Sequence, residues 1–287
     1  MSVRIYLLSL REISGPEQTK DFVRQAVLLV DEVRREKAEK IQKPGAQAVS
    51  LGAGLLLQKM VLDYQDGAAD CEEQDCEEQD CEEQNCEVLH YEARELLELL
   101  KTGQQNVSER IQDSQRIPLP LQYRFGPHGK PEIVDFPMYF SLSHSGDYVL
   151  CAVSDREVGA DIQKLQAADF SKLASRFFTE AEYQALEKCV DEAERQKLFF
   201  RLWTKKEAYG KLTGQGVAAI LNRDVCFTPD IDINEKSSRS FPEGKTVSEC
   251  GKQPKGLLPE WVEISAPEGY AVAVCTEANG PETNTVG

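Results

Sequence analysis

Val158-Gly159-Ala160-Asp161-Ile162-Gln163 reads as a strand that is apolar on both faces except for one carboxylate and its last residue. A carboxylate in such a strand must be paired, hold a metal, or cap the turn at the strand's end. The strand opens a unit that begins near Glu157. Helices are expected around Thr179 to Lys188 and Glu192 to Leu212, with Thr179 as N-cap and Glu182 completing a capping box. A strand-like segment follows at Val225 to Phe227, and the polar stretch Asn234 to Gly256 reads as a loop. Trp261 to Ser265 and Tyr270 to Thr276 read as a closing strand pair across Pro267-Glu268-Gly269. The turn-forming residues after Glu277 read as a frayed tail.

The residues upstream form a unit of the same kind. Val3 to Leu10 reads as a strand. Gln18 to Gln42 reads as a helix, with Phe22, Ala26, Leu29, Val30 and Val33 at helical spacing. Gly45 interrupts it, and a second helix carries Leu51, Leu55, Leu56 and Met60. Glu87 to Lys101 reads as a short helix, and Pro118 to Pro131 as a turn-rich stretch. Tyr139 to Leu142 and Tyr148 to Val153 read as strands. Each half opens on a strand and continues into helices, which predicts an α+β fold built as a pseudo-twofold pair of lobes. The predicted units are 1–154, with an acidic insert at 66–88, then 155–276, then a disordered tail at 277–287.

The chain has 287 residues, and 33 Lys and Arg against 49 Asp and Glu give a net charge of −16. That balance argues against a basic nucleic-acid surface and a polybasic membrane anchor. No uninterrupted apolar stretch approaches the roughly 18 to 20 residues of a membrane span. Ten of the acids, with no base among them, lie between Asp70 and Glu87; without them the charge is −6. This insert repeats Cys71-Glu-Glu-Gln-Asp, Cys76-Glu-Glu-Gln-Asp, Cys81-Glu-Glu-Gln-Asn and Cys86-Glu. At about 100° per residue, a five-residue period turns each helical cysteine about 140° from the last, so the thiols line no single face. The spacing also misses that of zinc and ferredoxin sites, and the insert reads as a solvated linker. Nine cysteines with no export signal point to reduced thiols and a cytoplasmic protein.

Three clusters carry chemistry. Asp161 is the first. The second is Trp203-Thr-Lys-Lys-Glu-Ala-Tyr-Gly-Lys211, which puts Glu207 and Lys211 four residues apart on one helix face. An exposed pair there would be an ordinary surface salt bridge, but Phe199, Leu202 and Trp203 make the preceding turn apolar. The third is Phe140-Ser-Leu-Ser-His-Ser-Gly146, preceded by Gly129-Lys130-Pro131 and suited to phosphate contacts. Ser143 and His144 point to opposite faces of an extended chain, and no G-x-S-x-G elbow accompanies them, so a Ser–His hydrolase is a poor reading.

In this order, the clusters together with Arg176-Phe-Phe-Thr-Glu180 resemble the 4′-phosphopantetheinyl transferase superfamily, in its longer two-lobed type. Weaker similarity extends to Arg34-Arg-Glu-Lys37, Ser50-Leu-Gly-Ala-Gly54 and Gly269-Tyr-Ala-Val-Ala-Val274. The resemblance implies an active site at the lobe interface and transfer of phosphopantetheine from coenzyme A to a serine of an apo acyl or peptidyl carrier protein. Adenosine 3′,5′-bisphosphate would leave, and the enzyme would be a monomer. It implies Mg²⁺ held by Asp161 and Glu207, with Gln163 at the third, usually acidic, position. Glu207, Lys211 and Asp161 would be catalytic, with Glu207 accepting the serine proton and Lys211 facing the leaving bisphosphate. Coenzyme A would be held by Arg34, Lys37, Lys130, Ser143, His144 and Lys206. A basic residue expected before Ser50 is missing, and Lys43 is the substitute. The loop Lys164 to Leu173, through Leu165 and Phe170, is the expected carrier contact.

Two other readings compete. Gln163 and the missing base fit a relative that binds coenzyme A or carrier without efficient transfer. The acidic repeat fits a scaffold role.

Overall fold

The computed structural model describes residues 2–71, 85–107, 117, 119–126, 129–167, 169–216 and 259–278. Most of the cysteine repeat, the expected strand at 225–227, the loop at 234–256 and nearly all of the tail lie outside the described residues.

The fold is mixed α and β. Strands β1 (Ser2–Ser9), β2 (Asn85–Glu92), β5 (Tyr139–Ser145) and β6 (Tyr148–Ser154) form a four-stranded sheet in the order β2-β1-β6-β5. β2 runs parallel to β1 and the other pairs are antiparallel. Strands β7 (Val158–Lys164), β8 (Pro259–Val262) and β9 (Tyr270–Glu277) form a second, antiparallel sheet in the order β7-β9-β8. β3 (Tyr123–Phe125) and β4 (Pro131–Ile133) make a small hairpin.

Strand alternation dictates the layering. Tyr6 and Leu8 of β1 pack into a helical core with α1 (Pro16–Ala26), α3 (Pro44–Cys71) and α4 (Ala93–Val107). Val3, Ile5 and Leu7 of the same strand face Val158, Ala160, Ile162 and Val274 of the second sheet. Ala271, Ala273 and Cys275 on the other face of β9 meet the helical layer built on α5 (Ser171–Phe177), α6 (Glu180–Lys188) and α7 (Glu192–Leu212). The result is a helix–sheet–sheet–helix sandwich.

Three expectations change. The helix expected over 18–42 is two: α1 ends at Ala26 and α2 (Glu32–Glu39) starts afresh. Asp31 is extended there and caps α2 by accepting the Arg34 N–H at 2.8 Å, while Arg35 donates to the freed carbonyl of Val27. The helix expected over 87–101 begins only at Ala93, because residues 85–92 add to the sheet edge instead. There Arg4 pairs with Glu87 and Tyr6 stacks on Tyr91. The insert is narrower than 66–88, since α3 continues to Cys71 and β2 starts at Asn85. α3 over Pro44–Gly67 is long and apolar enough to cross a membrane by length and composition, though not an uninterrupted apolar run. Two thirds of its most apolar window is buried in the N-terminal half, which makes it a core helix.

The sheets are joined at an edge by side chains. Ser141, Ser143 and Ser145, at alternate positions on β5, accept the backbone N–H groups of Ala160, Ile162 and Lys164 at 3.0, 3.3 and 2.9 Å. Three hydroxyls thus replace a backbone ladder between β5 and β7.

Candidate active site

The site lies at this seam. Gly159, Asp161 and Gln163 share the face of β7 turned toward α7. The helix rests on Gly159: a Cβ there would sit 2.0 Å from the Ala208 carbonyl oxygen and 2.6 Å from the Leu212 nitrogen. That close approach brings Glu207 and Lys211, one turn apart on α7, over Asp161.

Asp161 is only 2% exposed and is surrounded by donors. Its Oδ1 accepts from the Ser143 hydroxyl at 2.6 Å and from the Lys211 ammonium at 2.8 Å. Its Oδ2 accepts from the Gln163 amide at 3.0 Å. Lys211 also donates to the Ala160 carbonyl at 3.0 Å. Glu207 is half-buried, and burial first, then the nearby Asp161 charge, push its carboxyl up to about 7 against the opposing pull of Lys211. Two carboxylates close enough to repel, one of them buried, are a strong attractor for a cation.

The donor set is hard oxygen. Among the described residues no group of three or more His, Cys, Asp or Glu is placed to hold a metal ion. Two carboxylates fit Mg²⁺, which retains waters and takes further ligands from substrate phosphates. The Gln163 amide beside Asp161 also carries a neutral oxygen of the kind a third donor would supply.

Beside this pair opens a cleft of about 1030 Å³. Arg34 and Lys37 on α2, Lys130 before β4, His144 on β5 and Lys211 on α7 line it, with Asp147 as the acid on its wall. Lys211, Lys37 and Arg34 also repel a proton from His144: burial in the cleft first, then these three cations, push its imidazole below its ordinary value. A neutral His144 among fixed cations donates a hydrogen bond without adding charge. Lys130 is braced by Glu157 at the start of β7.

The sequence-predicted residues divide. The structure brings together Asp161, Glu207, Lys211 and Gln163, and sets Arg34, Lys37, Lys130 and His144 around the adjoining cleft. Ser143 lines the cleft but is 7% exposed, and its hydroxyl is committed to Asp161 and the Ile162 N–H. Lys206 is not in the cleft at all. One residue before Glu207, it is rotated about 100° away onto the face of α7 buried under α6. There its ammonium meets Glu182 at 2.9 Å, with neither side chain exposed. Lys43 is exposed and does not line the cleft.

The carrier-contact expectation also changes. Phe170 stacks on Phe199 with ring centroids 4.3 Å apart and Leu165 packs in the same cluster, so both anchor the core. Leu173 is the outward apolar side chain of that segment. Ser50, quoted above within Ser50-Leu-Gly-Ala-Gly54 but given no role, has a buried hydroxyl that lines the cleft and makes no hydrogen bond among the described residues.

A carboxylate pair with one buried member, set beside a cationic cleft, is a site of the kind that suits a phosphorylated ligand. The sequence pattern of the 4′-phosphopantetheinyl transferase superfamily matches residues 157–275, the stretch that supplies Asp161, Gln163, Glu207 and Lys211. The Synechocystis sp. protein named "Putative 4′-phosphopantetheinyl transferase slr0495" is 45% identical over 176 residues, 58% of this chain and 68% of its own length. The 4′-phosphopantetheinyl transferases psf-1 of Bacillus pumilus and Sfp of Bacillus subtilis (strain 168) are each 38% identical, over 151 and 149 residues. Those matches cover 52% of this chain and 58% and 59% of the two relatives, so the chain matches less than two thirds of either. The chain belongs to the 4′-phosphopantetheinyl transferase superfamily.

Proposed function

We propose that this protein transfers the 4′-phosphopantetheine group of coenzyme A to a serine of an apo acyl or peptidyl carrier protein, with Mg²⁺, and releases adenosine 3′,5′-bisphosphate. The observation that carries the reading is the placement of Asp161, Glu207 and Lys211 at the edge of a cleft lined by Arg34, Lys37, Lys130 and His144. A cleft so charged suits a ligand carrying several phosphates.

Asp161 and Glu207, with Gln163 beside them, would hold Mg²⁺, which when bound neutralises charge on the pyrophosphate. This chain's own residues do the rest. Arg34, Lys37, Lys130 and His144 hold the nucleotide phosphates and set the pyrophosphate at the mouth of the seam. The carrier serine oxygen forms a bond to the phosphorus bearing pantetheine as the bond to the bisphosphate oxygen breaks. The serine proton passes to Glu207. Lys211 stabilises the charge that gathers on the bisphosphate.

The proposal extends to residues 1–154 and 155–276 as pseudo-twofold counterparts, each a sheet covered by helices, and to a monomer acting in the cytoplasm. The free thiols of Cys86, Cys151, Cys189 and Cys275 support a reducing compartment. Gln163 favours one alternative, a relative that binds coenzyme A or carrier without efficient transfer. Incubation with coenzyme A, Mg²⁺ and a panel of apo carriers, read by intact mass, decides between them. One added phosphopantetheine on a carrier is expected; coenzyme A binding without a mass increase on any carrier would establish the alternative.

A further inference from the structure

Asp161 cannot stand bare. It is buried in the seam between two sheets, and of its three side-chain partners only Lys211 carries a charge. Lys211 differs from the other cleft cations in this respect. Lys130 is braced by Glu157, away from Asp161. Arg34 and Lys37 stand on α2 across the cleft.

Lys211 is also placed to leave. Its side chain is 31% exposed, against 3% for that of Asp161, and it lines the cleft as well as touching the carboxylate. Its charge is felt at His144 on the cleft wall. The ammonium therefore stands at the boundary between the carboxylate pair and the space where phosphates would lie. The ammonium is carried on a flexible four-carbon stem, which needs no movement of α7 to reorient. Among the described residues, Glu207 has no cation of its own.

We propose that Lys211 is a built-in counter-ion for Asp161, so that a divalent cation enters the Asp161–Glu207 pair by exchange: the ammonium gives up the carboxylate and moves onto the phosphates of the nucleotide in the cleft. This deepens the functional reading above and rests on its assignment of Asp161 and Glu207. The exchange couples the two ligands. Without phosphates the displaced ammonium has no new partner, and the incoming cation meets an unfavourable neighbour. With them, the same lysine becomes a phosphate contact. Cation and nucleotide then favour each other's binding by the same factor in either order.

The test measures Mn²⁺ binding by electron paramagnetic resonance, with and without coenzyme A, in the full chain and in Lys211→Met and Lys211→Gln. Circular dichroism confirms that each variant folds. Without coenzyme A, both substitutions are expected to tighten Mn²⁺ binding about 10- to 100-fold, the equivalent of one charged hydrogen bond that no longer has to be broken. Adding Asp161→Asn should abolish the gain. Coenzyme A should tighten Mn²⁺ binding more in the wild-type chain than in either variant. Mn²⁺ affinity that is unchanged or weaker in both variants would overturn the exchange while leaving the metal pair intact. A wild-type chain whose Mn²⁺ binding ignores Asp161→Asn would overturn the metal assignment, and the exchange with it.

Discussion

Gly159→Ala is the smallest substitution that should separate the two halves of the site. A Cβ at 159 would lie 2.0 Å from the Ala208 carbonyl oxygen and 2.6 Å from the Leu212 nitrogen, both backbone atoms of α7 with no rotamer to yield. Restoring ordinary contact requires α7 to lift by about 1 Å or more. Ala208 lies next to Glu207, and Leu212 next to Lys211, so both functional side chains move with the helix. The Lys211–Asp161 bond, now 2.8 Å, would stretch beyond hydrogen-bond range. Overpacking of this kind costs about 1–3 kcal/mol of stability. A displacement of about 1 Å at reacting groups costs on the order of 100-fold in rate. The expected outcome is therefore a folded protein, with a urea midpoint modestly lowered, whose carrier-modification rate falls about 100-fold. Coenzyme A binding, proposed to run through Arg34, Lys37 and His144, should change far less, because those residues lie on the other sheet and its helices. Wild-type turnover in Gly159→Ala would refute the claim that contact between β7 and α7 sets the catalytic geometry.

Ser143→Ala should lower kcat, and raise the Mg²⁺ needed for half-maximal rate, more than it raises KM for coenzyme A. The hydroxyl is spent on Asp161 and Ile162, so an effect confined to KM would show it to be a nucleotide contact instead. Lys206→Met should cost about 3–5 kcal/mol in urea unfolding by stranding a buried Glu182 carboxylate. Glu182→Gln added to it should recover most of the loss, because glutamine still serves the capping box. Metal affinity should rise with pH through about 7, where Glu207 gives up its proton, and calorimetry in two buffers should detect that proton's release. The same group bears on stability. Its folded-state affinity for protons exceeds the ordinary value of 4.5, so its contribution is fully present below about pH 4.5 and is lost as pH rises through about 7. Glu207→Gln should flatten that part of the stability profile; an unchanged slope would show that Glu207 does not titrate there.

The elements legible in the sequence were those whose local pattern agrees with their packing. β7, β9 and α7 appear within a few residues of their expected bounds, and Thr179 and Glu182 form the expected capping box. β2 was not legible, because Glu87, Glu92 and the Glu-Leu run after it read as helix. Only pairing with β1, some 83 residues earlier, makes a strand there. The site residues on α7 followed from spacing, and the exception teaches most. Lys206 and Lys211 are both lysines near Glu207, but only the one four residues away shares its face. The seam was illegible for another reason: serines at 141, 143 and 145 show alternation, not that their hydroxyls would meet the N–H groups of a strand in the other sheet.

Gln163 shows how the same alternation reaches the chemistry. Positions 161 and 163 fall on one face of β7, so a carboxylate at 163 would confront buried Asp161 as a like charge, destabilising the site in the absence of a cation. Glutamine removes that repulsion and donates to Asp161 Oδ2 instead. Its neutral oxygen is a weaker donor to Mg²⁺ than a carboxylate. Gln163→Glu should therefore act in opposite directions on two readouts. The metal-free protein should unfold at lower urea concentration at pH 8 than wild type, because three acids then share one lysine. Half-saturation of the transfer reaction by Mg²⁺ should fall, because the third ligand now carries charge. Both effects should diminish at pH 5, where the new carboxyl, raised by its neighbours, takes up a proton. A variant whose Mg²⁺ requirement is unchanged at pH 8 would show that position 163 does not reach the cation.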